Sequence, residues 1–206
     1  GDAVPACDDG RLNAAGKHVV VVGGGDTAMD CVRTAVRQGA KSVKCLYRRD
    51  RANMPGSLRE VSNAEEEGVE FVWLSAPESF VADKHVKQVA VAGMRLGAPD
   101  ASGRRSPEVD PGRTFDLPAD MVIKALGFDP EELPNLFGAP DLSVTRWGTL
   151  RVDHQTMMTS LPGVFAAGDI VRGASLVVWG IRDGRDVSDQ MLKWLKAKAK
   201  SEMKAA

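Results

Sequence analysis

The chain has 206 residues, a formal net charge of −1 and only 5% aromatic residues. A nucleic-acid-binding protein is expected to carry an excess of basic residues interleaved with aromatic ones, so this composition argues against a nucleic-acid partner. No apolar run is as long as a membrane span and no signal-peptide core precedes the first predicted strand, so we expect no membrane association and a cytoplasmic location.

Neither the first residues of the chain nor its cysteines and histidines indicate a binding site. Residues 1–15 are rich in Asp, Gly, Ala and Pro without periodicity, and we interpret them as a linker. Cys7, Cys31 and Cys45 lie far apart and form no CxxC pair, so we expect reduced, structural thiols. The histidines show no metal-ligand spacing, and the sequence therefore predicts no metal site.

A strand, a glycine turn and a helix follow the linker. Val19–Val22 is an apolar, β-branched run typical of a strand covered on both faces. Apolar residues then recur at helical spacing until Gly39, where a C-cap glycine is expected. Gly23, Gly25 and Ala28 fit a GxGxxA motif, which makes a tight turn and lets a pyrophosphate approach the helix N-terminus. The alternative is a glycine-rich turn that binds nothing.

Basic residues follow the next predicted strand, Val43–Tyr47. Arg48 and Arg49 come directly after it, and Arg51 is close behind. Arg48 lies about 25 residues after the first glycine, near the spacing at which a dinucleotide site places its ribose-binding or 2′-phosphate-binding residue. Guanidinium groups match phosphate oxygens in charge and geometry, so the cluster predicts NADP(H) rather than NAD(H). A solvated basic loop is the alternative interpretation.

A second helix and a third strand complete the predicted parallel part. Ser57 stands three residues before Glu60, which is the spacing of a capping box and predicts a helix running to about Glu67. The apolar and aromatic residues of Val69–Leu74 predict the next strand.

The pattern then changes from helical crossovers to neighbouring β-rich runs. Residues 78–82 and 86–96 predict an antiparallel excursion. Residues 97–113 are rich in Gly, Pro, Ser, Asp and Arg and predict a surface loop. Residues 121–126 return to an apolar strand that ends at Gly127, and a glycine at that place permits close approach of a cofactor.

The chain changes character near residue 129, where proline and acidic residues accumulate. We therefore predict a domain boundary there, which separates residues 16–128 from residues 129–206. In the second part a short strand is predicted to deliver Gly168 and Asp169 to its end. A helix is predicted to open near Ser175 and to end in lysines that suit its negative dipole end.

Three motifs carry a resemblance to a known family. They are VVVVGGGDTAMDCVRTA from Val19, YRRDRANMP from Tyr47 and GVFAAGDIVRGASLVVWGIRDGR from Gly163. Over nearly its whole length the chain resembles the small subunits of NADPH-dependent glutamate synthases and related pyridine-nucleotide flavoprotein reductases. The resemblance implies an α/β fold: a Rossmann-like NAD(P)-binding domain with a parallel sheet, helices and an antiparallel excursion, followed by the C-terminal part of an FAD-binding domain.

The resemblance also implies which residues contact the cofactors. The NADP(H) contacts would be Gly23, Gly25, Asp26, Thr27 and Ala28 at the glycine turn, Arg48, Arg49 and Arg51 at the 2′-phosphate, and Gly127 on the nicotinamide side. The FAD contacts would be Gly168 and Asp169 at the ribityl-phosphate arm and the backbone amides of Val177 and Val178 at the flavin ring. An ordinary turn is the alternative for the Gly168–Asp169 pair.

The resemblance implies an oxidoreductase that passes hydride from NADPH to FAD. Electrons would then move through iron–sulfur centres to a glutamate synthase large subunit that reduces 2-iminoglutarate to glutamate. Such hydride transfer is catalysed by positioning, so no catalytic acid or base is expected. Relatives carry an upstream FAD-binding glycine motif and cysteine clusters, and this chain has neither. We therefore expect a fragment that lacks the N-terminal FAD and iron–sulfur part, does not bind FAD stably alone and is not fully active.

Two other functions remain open. The first is an NADPH reductase with a different electron acceptor, similar to dihydropyrimidine dehydrogenase or linked to ferredoxin. The second is a non-catalytic NADP(H)-binding module, which the missing flavin glycines would permit.

Overall fold

The computed structural model describes residues 12–99 and 105–205, and the chain divides into two compact units between Gly127 and Phe128. The assignment of NADP(H) to the first unit and FAD to the second stays a prediction. Most of the predicted linker lies outside the described residues. Its residue Ala14, however, is buried in the core of the first unit, and its N–H donates to Oε1 of Gln38 at 2.9 Å. Ala14 is therefore part of the first unit and not of a linker.

The first unit consists of two sheets and two α-helices in the described residues. In chain order these are β1 (His18–Val22), α1 (Asp26–Arg37), β2 (Ser42–Tyr47), α2 (Leu58–Glu66), β3 (Glu70–Trp73), β4 (Ser75–Ala82), β5 (Val86–Pro99), β6 (Arg105–Pro118) and β7 (Met121–Lys124). Strands β3-β2-β1-β7 form a parallel sheet in that order, and β4-β5-β6 form an antiparallel sheet. The predicted α/β class with a parallel sheet and an antiparallel excursion is confirmed.

Strand β1 lies at the centre of the core because both of its faces are covered. Val19 and Val21 pack with buried residues of α1, α2 and β2. Val20 and Val22 point the other way and pack with buried residues of β5 and β6. The antiparallel sheet thus covers the face that a second layer of helices covers in other parallel sheets. Each buried valine contributes about 1.5–3 kcal/mol of apolar burial.

Of the two helix termini predicted from the sequence, one forms as predicted and the other lacks its predicted cap. Helix α1 ends at Arg37, and Gly39 stops it as predicted: the φ of Gly39 is +82°, and the N–H of Ala40 donates to the carbonyl of Ala35 at 3.1 Å. Helix α2 begins after Ser57 as predicted, but the Ser57 side chain makes no capping hydrogen bond. The predicted capping box is wrong because its glutamate, Glu60, pairs with Arg33 of α1 instead.

The predicted surface loop at residues 97–113 is also wrong in its described part. Residues 97–99 end β5 and residues 105–113 begin β6, with Pro99 paired to Arg105. Pro107 and Pro111 are tolerated because β6 is an edge strand of the antiparallel sheet, and edge strands accept proline. Register shifts in the β5–β6 pairing accommodate the irregular composition.

The second unit has three helices in its described part: α3 (Leu133–Leu136), α4 (Asp169–Arg172) and α5 (Val177–Ala205). The strand predicted to lead into Gly168 does not form, because Leu161–Gly163 makes a turn and Phe165 contributes only an isolated bridge. Helix α5 begins close to the predicted position. Neither it nor any other described helix combines the length and apolarity needed to span a membrane.

Candidate functional site

A cleft of about 600 Å³ lies in the first unit at the carboxyl edge of the parallel sheet. Its walls come from the ends of β1, β2 and β7 and from the start of β4. The chain runs from β1 through α1 to β2 on one side, while β7 pairs with β1 on the other. In open parallel sheets, ligands bind at such a point, outside the carboxyl ends of the strands.

The glycine turn at the end of β1 forms the floor of this cleft. A Cβ on Gly23, whose φ is +150°, would lie 2.3 Å from the carbonyl oxygen of Ala125. A Cβ on Gly24 would lie 2.4 Å from the ring of Tyr47. A Cβ on Gly25 would meet no atom within 4 Å. The first two glycines are therefore required by packing, whereas the third leaves open space in front of helix α1.

The first turn of α1 places its residues in three different environments. Gly25 is the N-cap and, like Thr27, lines the cleft. The side chain of Ala28 is fully buried in the core, where its small size allows close packing of helix on sheet. Asp26 is not among the cleft-lining residues, and its Oδ1 accepts a hydrogen bond from the N–H of Ser57 at 3.0 Å. Unpaired N–H groups in the first turn of a helix favour a phosphate.

The three predicted arginines are not equivalent. Arg48 is exposed and lines the cleft. Arg49 also lines it but is buried, with 9% exposure, and its Nη2 donates to the carbonyl of Arg105 at 2.7 Å. Arg51 does not line the cleft and pairs with Glu65 of α2. The structure thus brings two of the three guanidinium groups to the cleft, of which only Arg48 is exposed.

Three features of the cleft residues fit an anionic dinucleotide. The space in front of Gly25 is open at a helix N-terminus. Arg48 supplies an exposed positive charge at the end of the neighbouring strand. Nε of Arg49 is buried in the cleft wall and, among the described residues, has no hydrogen-bond partner. Gly127, which the sequence predicts on the nicotinamide side, also lines the cleft, at its end next to β7, and has a φ of +85°.

Several cleft-lining residues were not predicted from the sequence. The ring of Tyr47 supports the glycine turn, and its hydroxyl donates to the carbonyl of Asn53 at 3.0 Å. Its position as the last residue of a strand, just before the arginines, was a usable signal. Ser75, Ala76 and Pro77 at the start of β4 also line the cleft. No local pattern marks them, because the fold of the antiparallel sheet brings them there.

The predicted residues of the second unit lie at two helix starts, where Gly168 is half-buried and the other three are exposed. Gly168, with φ +75°, is the N-cap of α4, and Asp169 is its exposed first residue. Val177 and Val178, at the start of α5, are 80% and 63% exposed. The structure therefore places these residues at two helix starts on the surface of this unit.

An ion pair joins α4 to α5 in the second unit. Nε and Nη2 of Arg172 donate to the two carboxylate oxygens of Asp183 at 3.0 and 2.6 Å. The side chain of Asp183 is nearly buried, and the guanidinium lowers the pKa of its carboxyl. The pair borders a second cleft, of about 510 Å³, between the two helices and residues 152–157.

The described residues include two free cysteines, of which Cys45 is buried in the core and Cys31 is half-buried against it. Burial raises the pKa of the Cys45 thiol to about 12, and its Sγ donates to the carbonyl of Gly23 at 3.4 Å. Burial also raises the pKa of Cys31. Neither thiol is ionised near neutral pH, so neither is a reactive nucleophile. Cys7 lies outside the described residues.

Comparison with known proteins gives the family of the chain. Residues 1–184 match the family of pyridine nucleotide-disulphide oxidoreductases. The chain is 65% identical over 206 residues to the glutamate synthase [NADPH] small chain of Azospirillum brasilense, covering all of this chain and 43% of that protein. It is 46% identical over 182 residues to the NADP(+)-dependent formate dehydrogenase subunit beta of Moorella thermoacetica, covering 88% of this chain and 25% of that protein.

A solved structure shares the fold. Thioredoxin reductase from Lactococcus lactis superposes with a TM-score of 0.71 at 21% identity, covering 89% of this chain and 54% of that chain. The chain spans less than half the length of the two relatives named above. Together with the parallel sheet, its glycine turn and the basic cleft, the family match shows that the chain belongs to the pyridine nucleotide-disulphide oxidoreductases.

Proposed function

We propose that this chain is the NADP(H)-binding part of a flavoprotein that transfers hydride between NADPH and FAD. One observation carries the proposal: a single cleft joins the open N-terminus of α1 to an exposed arginine at the end of the neighbouring strand. A diphosphate and a 2′-phosphate are the two anionic groups of NADP(H), and the cleft offers a positive group for each.

The diphosphate belongs in front of Gly25. The open space there admits it, and the first-turn N–H groups of α1 together with the hydroxyl of Thr27 are its donors. The 2′-phosphate belongs against Arg48, whose guanidinium is exposed in the cleft. Arg49 supports this arrangement from the wall, where it ties the end of β2 to β6. Arg51, paired with Glu65, contributes only to the positive potential around the site.

When bound, the dinucleotide supplies the hydride, and the chain's own residues orient it. We place the nicotinamide end near Gly127 and Leu126, which border the cleft at the end of β7. Positioning is the catalytic contribution of such a site, so the chain needs no acid or base there. In the second unit we propose that Gly168, Asp169 and the amides of Val177 and Val178 face FAD, because they lie at the starts of α4 and α5, where all but Gly168 are exposed.

The whole-protein reaction that we favour is glutamate synthesis, with a glutamate synthase large subunit as partner. The similarity to the Azospirillum small chain supports it. A second candidate is an NADP(H)-linked flavoprotein that serves another electron acceptor. The similarity to a formate dehydrogenase subunit supports this candidate, because the cleft described above recognises the nucleotide and not the acceptor.

Calorimetric titration with NADPH and NADH tests the proposal. We expect the unaltered chain to bind NADPH more tightly than NADH. Arg48→Ala should weaken NADPH binding by about 1.5–3 kcal/mol, which is the contribution of a charge-assisted hydrogen bond, and leave NADH binding almost unchanged. Arg59→Ala, which removes an exposed arginine of α2 that does not line the cleft, is the control and should bind both nucleotides normally. Equal losses for both nucleotides in Arg48→Ala would contradict the 2′-phosphate assignment.

A further inference from the structure

The segment before α2 lies directly against the glycine turn. The N–H of Gly56 donates to the carbonyl of Gly24 at 2.9 Å, and a Cβ on Gly56 would lie 3.1 Å from that same oxygen. The next N–H, that of Ser57, donates to Oδ1 of Asp26 at 3.0 Å. We call these two hydrogen bonds the turn clamp. They join two consecutive N–H groups of one segment to the turn and to the first residue of α1.

The segment that carries the clamp is itself fixed to the core. Met54 is buried among the core residues of the first unit. Oδ1 of Asp50 accepts from the N–H of Asn53 at 3.0 Å, and the hydroxyl of Tyr47 donates to the carbonyl of Asn53. The clamp therefore connects the glycine turn to a rigid part of the fold, not to a free loop.

The Asp26 carboxylate serves two helices at once. It lies in the first turn of α1, and it accepts from the N-cap residue of α2, Ser57. A carboxylate is favoured at both places because the N-termini of helices carry partial positive charge. In a capping box the Ser57 N–H would be bound by Glu60, but that residue pairs with Arg33 of α1. Asp26 thus takes the place that the sequence pattern assigned to Glu60.

We propose that Asp26 is a positioning residue that holds the glycine turn in its diphosphate-binding shape, and that it does not contact the dinucleotide. The proposal rests on the proposed function, because it concerns the same cleft. It replaces the sequence-based expectation of a direct Asp26 contact with NADPH. The carboxylate acts through Ser57. Together with the Gly56–Gly24 hydrogen bond, it holds the residues on both sides of Gly25, which is the last residue of the turn.

Two variants that break the same hydrogen bond from opposite sides test the proposal. Asp26→Ala removes the acceptor, and Ser57→Pro removes the donor while suiting the φ of −55° at that position. Each should weaken NADPH and NADH binding alike, by about tenfold for the loss of a hydrogen bond to a charged group, so that the ratio of the two affinities stays constant. Asp26→Asn should restore near-normal affinity, since its amide oxygen can still accept.

The control is Asp30→Ala, which removes an exposed carboxylate one turn further along α1 and should leave both affinities unchanged. A normal affinity in both Asp26→Ala and Ser57→Pro would overturn the proposal. So would an Asp26→Asn variant as weak as Asp26→Ala, or a loss confined to NADPH.

A measurement without nucleotide separates this proposal from the function on which it rests. Amide hydrogen exchange of the unaltered chain should show protected N–H groups at Gly56 and Ser57, and in Asp26→Ala the Ser57 N–H should exchange faster. Unchanged exchange in the variant would overturn the clamp alone. If the unaltered chain bound neither nucleotide, the proposed function would fail and the positioning role would fail with it, whatever the exchange data showed.

Discussion

Each unit of the molecule presents a glycine turn in front of a helix, and the two turns have different surroundings. In the first unit Gly23 packs against Ala125, the residue directly after β7, and a cleft with walls from four strands opens above Gly25. In the second unit a Cβ on Gly168 would meet no atom within 4 Å, and the Asp169 that follows is exposed.

The two turns differ because remote segments form a cleft around Gly25 in the first unit, whereas Gly168 of the second unit faces open space among the described residues. In the first unit the walls are supplied by residues far along the chain, such as Ser75 and Gly127. In the described part of the second unit, the residues predicted to contact FAD lie at the surface, and Val177 is 80% exposed. We therefore expect substitutions in the first unit to change nucleotide binding strongly. Substitutions in the second unit should change mainly its stability.

The largest expected effect comes from the glycine turn itself. Gly23→Ala should lower the free energy of unfolding by about 2–4 kcal/mol, because φ is +150° and the new Cβ would lie 2.3 Å from the carbonyl oxygen of Ala125. Gly25→Ala should cost less than about 1 kcal/mol, since its Cβ enters open space. It should nevertheless abolish most NADPH binding, because that space is the proposed diphosphate site. Urea unfolding and calorimetric titration measure the two effects.

The Gly23→Ala and Gly25→Ala variants test different parts of the account. If Gly25→Ala bound NADPH normally, the open space would not hold the diphosphate. If Gly23→Ala were as stable as the unaltered chain, the close approach of the turn to Ala125 would not be a packing constraint.

The next effect concerns the two neighbouring arginines. Arg49→Ala should lower the unfolding free energy by about 1–3 kcal/mol, because it removes a buried donor to the carbonyl of Arg105. Arg48→Ala should stay within about 0.5 kcal/mol of the unaltered chain, as exposed substitutions do. Denaturant unfolding measures both. A stable Arg49→Ala that loses NADPH selectivity as fully as Arg48→Ala would show that the two guanidinium groups share one role.

The smallest effect is expected in the second unit and depends on pH. The pKa of Asp183 is lowered by Arg172, so the pair stabilises the folded state above the ordinary carboxyl pKa of about 3.9, and this stability is lost as the pH falls through the lower folded value. Asp183→Asn should remove this pH dependence. Trp179 reports it by fluorescence, since the Arg172 guanidinium lies 5.2 Å from the centroid of its ring.

The effect is modest because Arg172 is 41% exposed and solvent screens the pair. Asp186→Asn is the control, as Asp186 forms a more exposed pair with Arg182 at 3.6 Å. An unfolding curve for Asp183→Asn with the same pH dependence as the unaltered chain would contradict the assignment.

Local patterns predicted the elements whose causes are local. The run Val19–Val22, the helical spacing behind it and Gly39 each determine structure within a few residues, and β1, α1 and its end form as expected. The antiparallel excursion was predicted for the same reason, from two adjacent β-rich runs. Its extension beyond residue 97 was not, because only edge-strand pairing makes a stretch rich in glycine and proline extended.

The finer division of roles within the cleft depends on contacts between distant residues. Arg48 and Arg49 are adjacent and chemically identical, and they differ because the carbonyl of Arg105 binds only the second. The capping box at Ser57 failed because Asp26, from another helix, occupies the place of its acceptor. No sequence pattern of short range contains such information.

A crystal structure of the chain with NADP⁺ bound tests the central claim most directly. The account predicts the diphosphate in front of Gly25, within hydrogen-bond distance of the first-turn N–H groups of α1, and the 2′-phosphate on the guanidinium of Arg48, with Asp26 still bound to the N–H of Ser57. A nucleotide bound elsewhere, or one in this cleft whose 2′-phosphate faces solvent while Arg48 points away, would contradict it.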